Sequence, residues 1–520
     1  MSPLRLFLLC ATVIAAAVME LIDTSIVNVA LSHMSGNLGA TLADTSWVIT
    51  SYAIANIIII PITSFLAARF GRRRYFISSI ILFTVASALC GTADSIWTLV
   101  AFRFVQGLGG GALLSTSQTI VFEAFPPAKR GVAAALFGIG VFTGPTIGPT
   151  LGGYILDVTS WHWIFLVNIP IGIVVTMLSV WLVTEPAATV SRASLRMDWV
   201  GLLFLVLGVG ALQVVLERGQ EEDWFQTTYI VQLSVAAVIG IVGFIWWELT
   251  TKFPIVNLRV LKSRSLAVAA VLTFVTGMGL FTSVYLTPVF AQRLLHFPVL
   301  DTGLLLVPGA LVAIFVLILT ARALQGGVPI PVIITLGFLI FFAFSWRMSL
   351  LTGASGKGDF YLPLILRGVG IALLTVPLTA LAVSGLALKD IAQGAALNNM
   401  MRQLGGSFGI AMVNTYLATQ FAVHRQALVT HLTATDLNVT ARLAATTQLV
   451  ASRLGQAPIN AVQRAYQLLD SAVNQQAGIQ SYNDAFLLVG GCFLAAMPLL
   501  LLVARRKPGA APVTVSLSDH

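Results

Sequence analysis

The sequence predicts an all-α integral membrane protein with fourteen membrane-spanning helices. Hydrophobic residues make up 57% of the 520 positions, charged residues make up only 9%, and the mean hydropathy is +0.92. A soluble domain carries about 25% charged residues. A chain this apolar cannot cover its surface by folding alone, so the bilayer must be its solvent. The apolar residues also fall into runs long enough to span a membrane.

Each spanning helix needs about 20 mostly apolar residues. Fourteen runs meet this need, at about 6–31, 46–68, 75–93, 96–122, 131–155, 162–183, 199–216, 228–247, 266–290, 302–322, 329–348, 360–385, 395–420 and 483–504. The first run is too long for the apolar core of a signal peptide and contains Glu20 and Asp23, so we predict a retained helix.

The basic residues of the short loops predict the orientation. They gather on one side of the predicted bundle: Arg69, Arg72, Arg73, Arg74, Lys129, Arg130, Arg192, Arg196, Lys252, Arg259, Lys262, Arg264, Arg505, Arg506 and Lys507. One opposite loop is acidic, with Glu217, Glu221, Glu222 and Asp223. The positive-inside rule therefore predicts that both termini are cytoplasmic. This scatter also accounts for the net charge of +9 without a basic stripe for nucleic acid, which we exclude as a partner.

A short internal repeat predicts the domain organisation. Gln106-Gly107-Leu108-Gly109 in predicted helix 4 is echoed by Arg367-Gly368-Val369-Gly370 in predicted helix 12. This spacing equates helices 1–6 with helices 9–14 and leaves helices 7 and 8 as an insertion, a common transporter plan. The predicted units are a six-helix bundle (1–184), an inserted pair with its loops (185–264), a second six-helix bundle (265–505) and a tail (506–520). Within the second bundle, the polar segment 421–483 is either a connector or an element that docks a partner.

Three charged residues inside predicted spans are candidates for proton coupling. Glu20 and Asp23 lie three residues apart in helix 1 and so share a face. Burial and mutual repulsion both favour the protonated acid, so such a pair can bind and release a proton. Arg103 in helix 4 is the natural counter-charge. Alternatively, Glu20 reaches for the membrane surface, or Asp23 only joins two helices by hydrogen bonds.

Two further features concern packing and movement. Arg402 in helix 13 stands beside Asn398, Asn399 and Gln403, and is either a structural anchor or a substrate-facing or gating residue. Helix 5 carries a stripe of small residues and prolines: Gly140, Gly144, Pro145, Gly148, Pro149, Gly152 and Gly153. Four-residue glycine spacing lets a neighbouring helix approach closely, and the prolines favour a bend.

The sequence gives no sign of an enzyme or a metal site. Cys10, Cys90 and Cys492 lie in apolar runs without metal-ligand spacing, and the six histidines are isolated. We find no nucleophile motif, zinc motif or phosphate-binding loop, so an enzyme that works within the membrane is the least favoured alternative.

Several motifs resemble the fourteen-helix drug:proton antiporters of the major facilitator superfamily, specifically the EmrB type. The resemblance covers about residues 15–505. Its motifs are Glu20-Leu-Ile-Asp23 to Leu31, Trp47 to Tyr52, Ala67 to Arg73, Arg103-Phe-Val-Gln106-Gly107, Gly140 to Gly153, Trp161 to Gly172, Leu216-Glu217-Arg218-Gly219, Asp223-Trp224-Phe225, Trp247 to Thr250 and Asn399-Met-Met-Arg402. The loop motif keeps Arg69, Gly71, Arg72 and Arg73 but has Ser64 and Ala68 where the family has Gly and Asp. That difference puts a cytoplasmic lock between the two halves in doubt, but not the fold.

The resemblance implies a major facilitator fold and proton-driven export of lipophilic compounds across the bacterial inner membrane, with no cofactor. It also implies a periplasmic adaptor protein and an outer-membrane channel as partners. By alternating access, Asp23 would exchange a proton in a cavity lined from helices 1, 2, 4, 5, 9 and 13. Its candidate substrate-binding residues are Asn28, Tyr52, Gln106, Gln118, Phe281, Tyr285, Asn399 and Arg402. The alternative is an exporter or symporter dedicated to one metabolite, such as a fatty acid or siderophore.

Overall fold

The structure is a computed structural model that describes residues 2–126, 130–185, 197–384, 386, 390–433, 436–454 and 458–500. Across these residues all the regular secondary structure is helical. The α-helices are α1 (Pro3–Leu38), α2 (Leu42–Phe70), α3 (Arg72–Cys90), α4 (Ile96–Ala124), α5 (Arg130–Val158), α6 (Trp163–Leu166), α7 (Asn168–Leu182), α8 (Trp199–Leu205), α9 (Ala211–Arg218), α10 (Thr228–Thr250), α11 (Arg264–Arg293), α12 (Val299–Gln325), α13 (Ile330–Met348), α14 (Lys357–Val383), α15 (Ile391–Thr430), α16 (Leu437–Leu454) and α17 (Pro458–Ala496). A π-helical turn, Val206–Gly210, joins α8 to α9.

The predicted all-α membrane fold is confirmed. Thirteen helical stretches of the described chain are long and apolar enough to cross a membrane, with α6–α7 and α8–α9 each forming one span. The remaining predicted span, 395–420, lies in α15, which has 40 residues but is too polar to qualify by composition. Its polar residues Asn398, Asn399 and Arg402 are buried inside the bundle, so α15 is a span that packing rather than hydropathy reveals.

Capping residues define where the first spans begin and end. Gly39 ends α1 in the left-handed conformation, with φ of 60°. Thr41 caps α2 through a hydrogen bond from the backbone N–H of Asp44, at 3.0 Å. Gly71 separates α2 from α3 with φ of 89°, a conformation that glycine adopts without steric cost. We call the membrane side on which α1 begins the near side, and the side on which it ends the far side.

The packing pattern repeats in the two halves of the chain. In the N-half (α1–α7), α1 packs on α5, α2 and α3 pack on α4, and α7 packs on α3. In the C-half (α11–α15 and α17), the corresponding pairs are α11 with α15, α12 and α13 with α14, and α17 with α13. This correspondence matches the repeat seen in the sequence, whereas the predicted domain boundaries stay predictions.

The glycine stripe of α5 lies against α1. A Cβ atom added at Gly140 would lie 2.7 Å from Ile14, and one at Gly152 would lie 2.9 Å from Ile26. Gly144 and Gly148 face Leu21 and Ser25 of α1 in the same way. The stripe therefore brings α5 close to the helix that carries Asp23. Pro145 and Pro149 lie inside α5, and their role in a bend stays a prediction.

The two halves meet along two seams, α5–α12 and α2–α15. The helices α5 and α12 pack closely along their length, as at Thr150 with Gly303 and at Gly138 with Leu317. The helices α2 and α15 make fewer direct contacts, and the inserted pair (α8–α10) packs on both of them. The insertion therefore covers one seam and leaves the other bare.

The helices α15 and α17 project from the far side, and we call residues 421–483 the extension. With 40 residues, α15 is about 60 Å long, twice the apolar thickness of a bilayer. In the extension, Arg425 of α15 pairs with Asp470 of α17 at 2.8 Å, and His424 contacts Asp484 at 2.7 Å. α16 packs on α17. The predicted segment 421–483 is therefore largely helical; its residues 434–435 and 455–457, and the predicted tail 506–520, lie outside the described residues.

Replacing Gly277 by Ala should destabilise the fold, because the new Cβ would meet the backbone of Arg402, including its Cα at 2.9 Å. Gly491 is a matched control, since a Cβ there has no atom within 4 Å. We expect Gly277→Ala to lower the apparent unfolding temperature in detergent. Gly491→Ala should leave it unchanged or raise it slightly, since Ala favours a helix by about 0.5–1 kcal/mol over Gly. Equal unfolding temperatures for the two variants would contradict close packing of α11 on α15.

Candidate functional site

Asp23 is the centre of a buried polar cluster in the N-half. Its side chain is completely buried in α1, and its Oδ2 accepts a hydrogen bond from Arg103 Nη1 of α4 at 2.5 Å. Its Oδ1 accepts from Gln106 Nε2 and from Asn168 Nδ2, both at 2.9 Å. Three spans thus converge on one carboxylate, and the predicted pairing of Asp23 with Arg103 is present.

Arg103 is held by several groups besides Asp23. Its Nη1 also donates to Gln106 Oε1 at 2.8 Å, and its Nε donates to the Val48 carbonyl at 3.2 Å. The Tyr52 ring lies against the guanidinium, with 4.1 Å from Cζ to the ring centroid. A buried charge is costly unless it is paired and hydrogen-bonded. Here Arg103 keeps a carbonyl, an amide oxygen and an aromatic face even when the Asp23 contact is excluded.

Sequence reasoning missed Asn168 as a member of this cluster. Its Nδ2 donates to Asp23 and also to Ser87 Oγ at 3.1 Å, and Ser87 in turn donates to the Phe165 carbonyl at 2.9 Å. Asn168 is the first residue of α7, and only Val167 separates it from the end of α6. The sequence feature that could have pointed to Asn168 is its amide, which stands alone inside the apolar span Trp163–Leu182.

Glu20 lies on α1 one turn from Asp23 but faces α2. Its Oε1 accepts from Asn56 Nδ2 at 2.9 Å, and the Tyr52 hydroxyl is 3.5 Å away, at the limit of a hydrogen bond. Its Oε2 has no partner among the described residues. The two predicted acids are therefore neighbours with separate partners. Tyr52 links their surroundings, because its ring contacts Arg103 and its hydroxyl approaches Glu20.

The predicted substrate-binding residues fall into separate groups. Tyr52 and Gln106 belong to the acid cluster just described. Gln118 and Asn399 join the two halves toward the near side, where Asn399 Nδ2 donates to Gln118 Oε1 at 2.6 Å and to Ser115 Oγ at 3.4 Å. Asn28 is exposed and donates to the Thr24 carbonyl at 3.4 Å, away from the other candidates.

Arg402 lines a small cavity between the halves. The cavity is bounded by Thr273 and Thr276 of α11, Thr375 of α14, and apolar side chains that include Val141 of α5. Arg402 is buried, and its Nη1 has no hydrogen-bond partner within the described part of the chain; nor has the Thr273 hydroxyl. Arg402 is the one charged side chain on this lining, so the cavity offers a cation and hydroxyl groups to a ligand.

Phe281 and Tyr285 are half-buried and lie one turn apart on α11. A Cβ atom added at Gly406 of α15 would lie 2.5 Å from the Phe281 ring. Tyr285 lies near Asn414 of α15. They stay predicted substrate residues, on the α11 face that packs against α15.

The loop-motif arginines act within the N-half. Arg72 forms an ion pair with Glu123 at the end of α4, and its backbone N–H donates to Glu185 Oε1 at 2.9 Å. Arg73 Nη2 donates to the Val180 carbonyl at 2.6 Å. These contacts hold the near-side ends of α3, α4 and α7 together. Arg69 lies in the last turn of α2, and its conformational role stays a prediction.

The described residues contain no group of three or more His, Cys, Asp or Glu side chains that could hold a metal ion. The clusters present carboxylates, which are able to bind a proton, and amide and guanidinium groups, which are able to donate hydrogen bonds.

A sequence profile described as the Major Facilitator Superfamily matches residues 13–410, which is more than half of the chain. The chain belongs to this superfamily. Two solved structures of low sequence identity share its fold. The human organic anion transporter MFSD10 has 14% identity and a TM-score of 0.60, covering 96% of this chain and 100% of that one. An inward-facing bacterial homologue of the lysosomal transporter Spinster has 14% identity and a TM-score of 0.56, covering 98% and 100%.

The curated relatives confirm the EmrB-type resemblance of this major facilitator protein. It is 33% identical to the multidrug export protein EmrB of Escherichia coli K12 over 486 residues, 93% of either chain. It is 35% identical to the EmrB of Haemophilus influenzae over 430 residues, 82% of this chain and 83% of the relative. It is also 34% identical to the fatty acid resistance protein FarB of Neisseria gonorrhoeae over 490 residues, 94% of either chain.

Replacing Arg103 by Gln should destabilise the protein by about 3–5 kcal/mol, because the Asp23 carboxylate would remain buried without its cation. The double variant Asp23→Asn/Arg103→Gln removes both charges and should recover much of that loss. Arg322→Gln is the control, since Arg322 is exposed. Thermal unfolding in detergent measures all three, and a double variant no more stable than Arg103→Gln would contradict a direct charge pairing.

Proposed function

We propose that the chain is a proton-coupled exporter of lipophilic and amphipathic compounds that works by alternating access. The observation that carries this proposal is the buried Asp23–Arg103 pair, which joins α1 to α4 in the middle of the N-half. A titratable pair inside a membrane span is costly and is usually functional. The relatives named multidrug export protein support export of many compounds. The polar clusters around Asp23 and Arg402 are accounted for by transport without an enzymatic reaction.

The geometry suggests how a proton and Arg103 compete for one carboxylate. With Asp23 ionised, the ion pair with Arg103 ties α1 to α4. When a proton binds Asp23, the charge attraction is lost, while Arg103 retains the Val48 carbonyl, Gln106 Oε1 and the Tyr52 ring. Asn168 and Gln106 still donate to Asp23 Oδ1. Both charge states therefore have hydrogen-bond partners, as a reversible switch requires.

The proton gradient can supply enough energy to drive this switch. Each inward-moving proton gains about 2.3 kcal/mol per 100 mV of membrane potential, roughly a 50-fold change in an equilibrium. That energy must break the contacts between the N-half and the C-half on the near side in one state and on the far side in the other. Asn399–Gln118 lies toward the near side and Thr150–Gly303 toward the far side, so each is a contact that one inward-open or outward-open state would break.

The proposed ligand region combines apolar walls with a few polar groups. Leu280 and Val141 supply apolar surface on the cavity, and Arg402 supplies hydrogen-bond donors. Asn399 and Gln118, which bond each other in this state, add polar groups toward the near side. Mostly apolar sites with few polar points suit many ligands rather than one. We further propose that the protein lies in the bacterial inner membrane with its near side cytoplasmic, as the distribution of Lys and Arg favours.

The alternative is an exporter dedicated to a fatty acid. The Arg402 cavity favours it, because Arg402 Nη1, which has no partner among the described residues, lies among threonine hydroxyls and suits a carboxylate head group. The relative FarB, named for fatty acid resistance, supports the same reading. A resistance profile restricted to fatty acids would favour this alternative over multidrug export.

Asp23→Asn should abolish proton-driven export while leaving a folded, inserted protein. The isosteric amide cannot exchange a proton or pair as a charge with Arg103. The measurement is export of a lipophilic fluorescent dye from proteoliposomes under an imposed pH gradient, with Asp157→Asn as the control at an exposed site on α5. We expect Asp23→Asn to match protein-free liposomes and Asp157→Asn to match the parent. Gradient-driven export by Asp23→Asn at the parent rate would overturn the assignment.

We also propose that the far-side extension docks a periplasmic adaptor protein, which in turn contacts an outer-membrane channel. Leu437 and Leu449 of α16 are 83% and 54% exposed, an unusual state for large apolar side chains in water. We place the extension beyond the bilayer, because α15 is about twice as long as the apolar layer is thick, and lipid would then not cover these side chains. The extension lies on the side that an export channel must reach.

Leu437→Ser combined with Leu449→Ser should weaken co-purification of the adaptor by about tenfold, since buried apolar anchors dominate interfaces. Asn438→Ser with Gln448→Ser is the matched control on the same helix, where both residues are exposed and polar. Dye export by the reconstituted protein alone should be unchanged in both variants. If the double variant Leu437→Ser/Leu449→Ser binds the adaptor as well as the parent does, this docking proposal is wrong.

A further inference from the structure

The far end of the inserted pair contacts both halves of the protein. We call residues Gln213–Trp224 the strap; it covers the end of α9 and the turn toward α10. The motifs Leu216–Gly219 and Asp223–Phe225 lie in or beside it, and the proton cycle described above does not use them. The strap crosses the α2–α15 seam, which has fewer direct contacts than the α5–α12 seam.

One face of the strap is anchored to α2 of the N-half. Arg218 is buried and donates to Ser46 Oγ at the far-side end of α2. It also pairs with Glu221 at 2.7 Å and Glu222 at 3.0 Å, and its guanidinium lies 5.3 Å from the centroid of the Trp47 ring. The charges within the strap therefore position Arg218 against α2.

The body of the inserted pair reinforces this anchor with apolar packing. Ile57, Ile62 and Phe65 of α2 share one buried cluster with Leu205 and Val209 of the inserted pair. Gly210 also faces Ile58 of α2 at 3.4 Å from an added Cβ. Hydrogen bonds from Arg218 to Ser46 and from Ser46 to Glu221, a cation–π contact and an apolar cluster together bind the pair to the N-half, and Leu404 of α15 also packs against that cluster.

The other face of the strap is held to α15 of the C-half mainly by two hydrogen bonds. Trp224 Nε1 donates to Thr415 Oγ1 and, within the strap, to Gln220 Oε1, both at 3.1 Å. Gln213 Nε2 donates to Ser407 Oγ at 2.8 Å and, within the strap, to Glu217 Oε1 at 2.9 Å. The two hydroxyls lie about 12 Å apart along α15. Two neutral hydrogen bonds are weaker than the anchor on α2, each contributing little net stability when water can replace it.

The backbone of the strap is strained where it places the indole. Asp223 and Trp224 both have left-handed conformations, with φ of 52° and 51°, a rare pair for residues other than glycine. The Trp224 ring packs on Gly219, where an added Cβ would lie 2.6 Å from the ring. Strain of this kind persists where surrounding contacts require it, and it concentrates at functional positions.

We propose that the strap is the far-side gate of the transporter: it stays fixed to α2 and releases α15 when the protein opens to the far side. Trp224 and Gln213 are then positioning residues that set how readily the far side opens. This inference rests on the proposed alternating access for its part in export, but the closed contact itself does not require any substrate. The unequal strength of the two faces decides which contact breaks.

The test measures far-side opening by cysteine labelling. Thr150 of α5 lies at the other seam and faces Gly303 of α12, so a cysteine there reports separation of the halves rather than local change in the strap. The background replaces Cys10, Cys90 and Cys492 by Ser, and a membrane-impermeant maleimide is added on the far side. Trp224→Phe removes the N–H that bonds Thr415 and keeps an aromatic ring.

Trp247→Phe is the matched control. Trp247 Nε1 donates to both carboxylate oxygens of Asp198 at 2.9 Å, inside the inserted pair, so its loss removes an equivalent indole bond without uncoupling the halves. We expect Trp224→Phe to accelerate labelling of Thr150→Cys about fivefold and Trp247→Phe to leave it unchanged. A parent labelling rate for Trp224→Phe, or equal acceleration in both variants, would overturn the proposal.

A second variant keeps the test decisive if Trp224→Phe folds poorly. Thr415→Val removes the acceptor with little change in shape and should accelerate labelling as much as Trp224→Phe. The double variant should label no faster than either single one, because both remove the same bond; an additive double variant would count against the proposal. Labelling needs neither drug nor gradient, so the two proposals can fail separately. If the parent exports dye but Trp224→Phe is labelled at the parent rate, the gate is refuted and the proposed function is not. If Trp224→Phe is labelled faster but the parent exports no dye, the proposed function is refuted and the gate is not.

Discussion

The buried ion pair between Asp23 and Arg103 constrains the whole N-half. A carboxylate and a guanidinium placed inside a bilayer need each other, and both need further donors and acceptors. Four spans provide those groups: α1 and α4 carry the charges, α2 gives the Val48 carbonyl and the Tyr52 ring, and α7 gives Asn168. The glycine stripe of α5 then packs close behind α1. A change in the charge of the Asp23 carboxylate therefore alters the contacts of five helices: α1, α2, α4, α5 and α7.

The C-half repeats the helix packing but not this chemistry. Arg367 of α14 corresponds to Gln106 in the repeat and is buried, yet two of its nitrogens have no partner within the described residues. Arg402 is likewise without an acid on its cavity. The N-half thus carries a satisfied charge pair, whereas the C-half carries cations that can receive a ligand. The proposed function therefore places proton binding in the N-half and ligand binding beside the buried cations of the C-half.

The sequence could predict the fold class and the central charge pair, because charged residues in apolar runs are conspicuous and few. It could not identify Asn56 and Asn168 as partners, since a lone amide has no spacing pattern and its role depends on which helices meet. The sequence predicts Gln106 and Tyr52 as substrate-binding residues; the structure shows that both contact the acids, and a substrate role stays a prediction. Helical stretches such as 461–472 could be predicted within the polar segment 421–483, but not that α15 and α17 run on into it without a break, because a polar helix has the same composition as a connector.

The polarity of α15 has a consequence for how the chain is made. A translocating segment partitions into lipid according to its own apolar content. The stretch around Asn398, Asn399 and Arg402 is not apolar enough to do so alone. This helix therefore depends on earlier helices, above all α11 and α4, to shield its amides and guanidinium as it leaves the insertion machinery. Biogenesis of the C-half cannot proceed one helix at a time: α11 must wait in the membrane for a partner made about a hundred residues later.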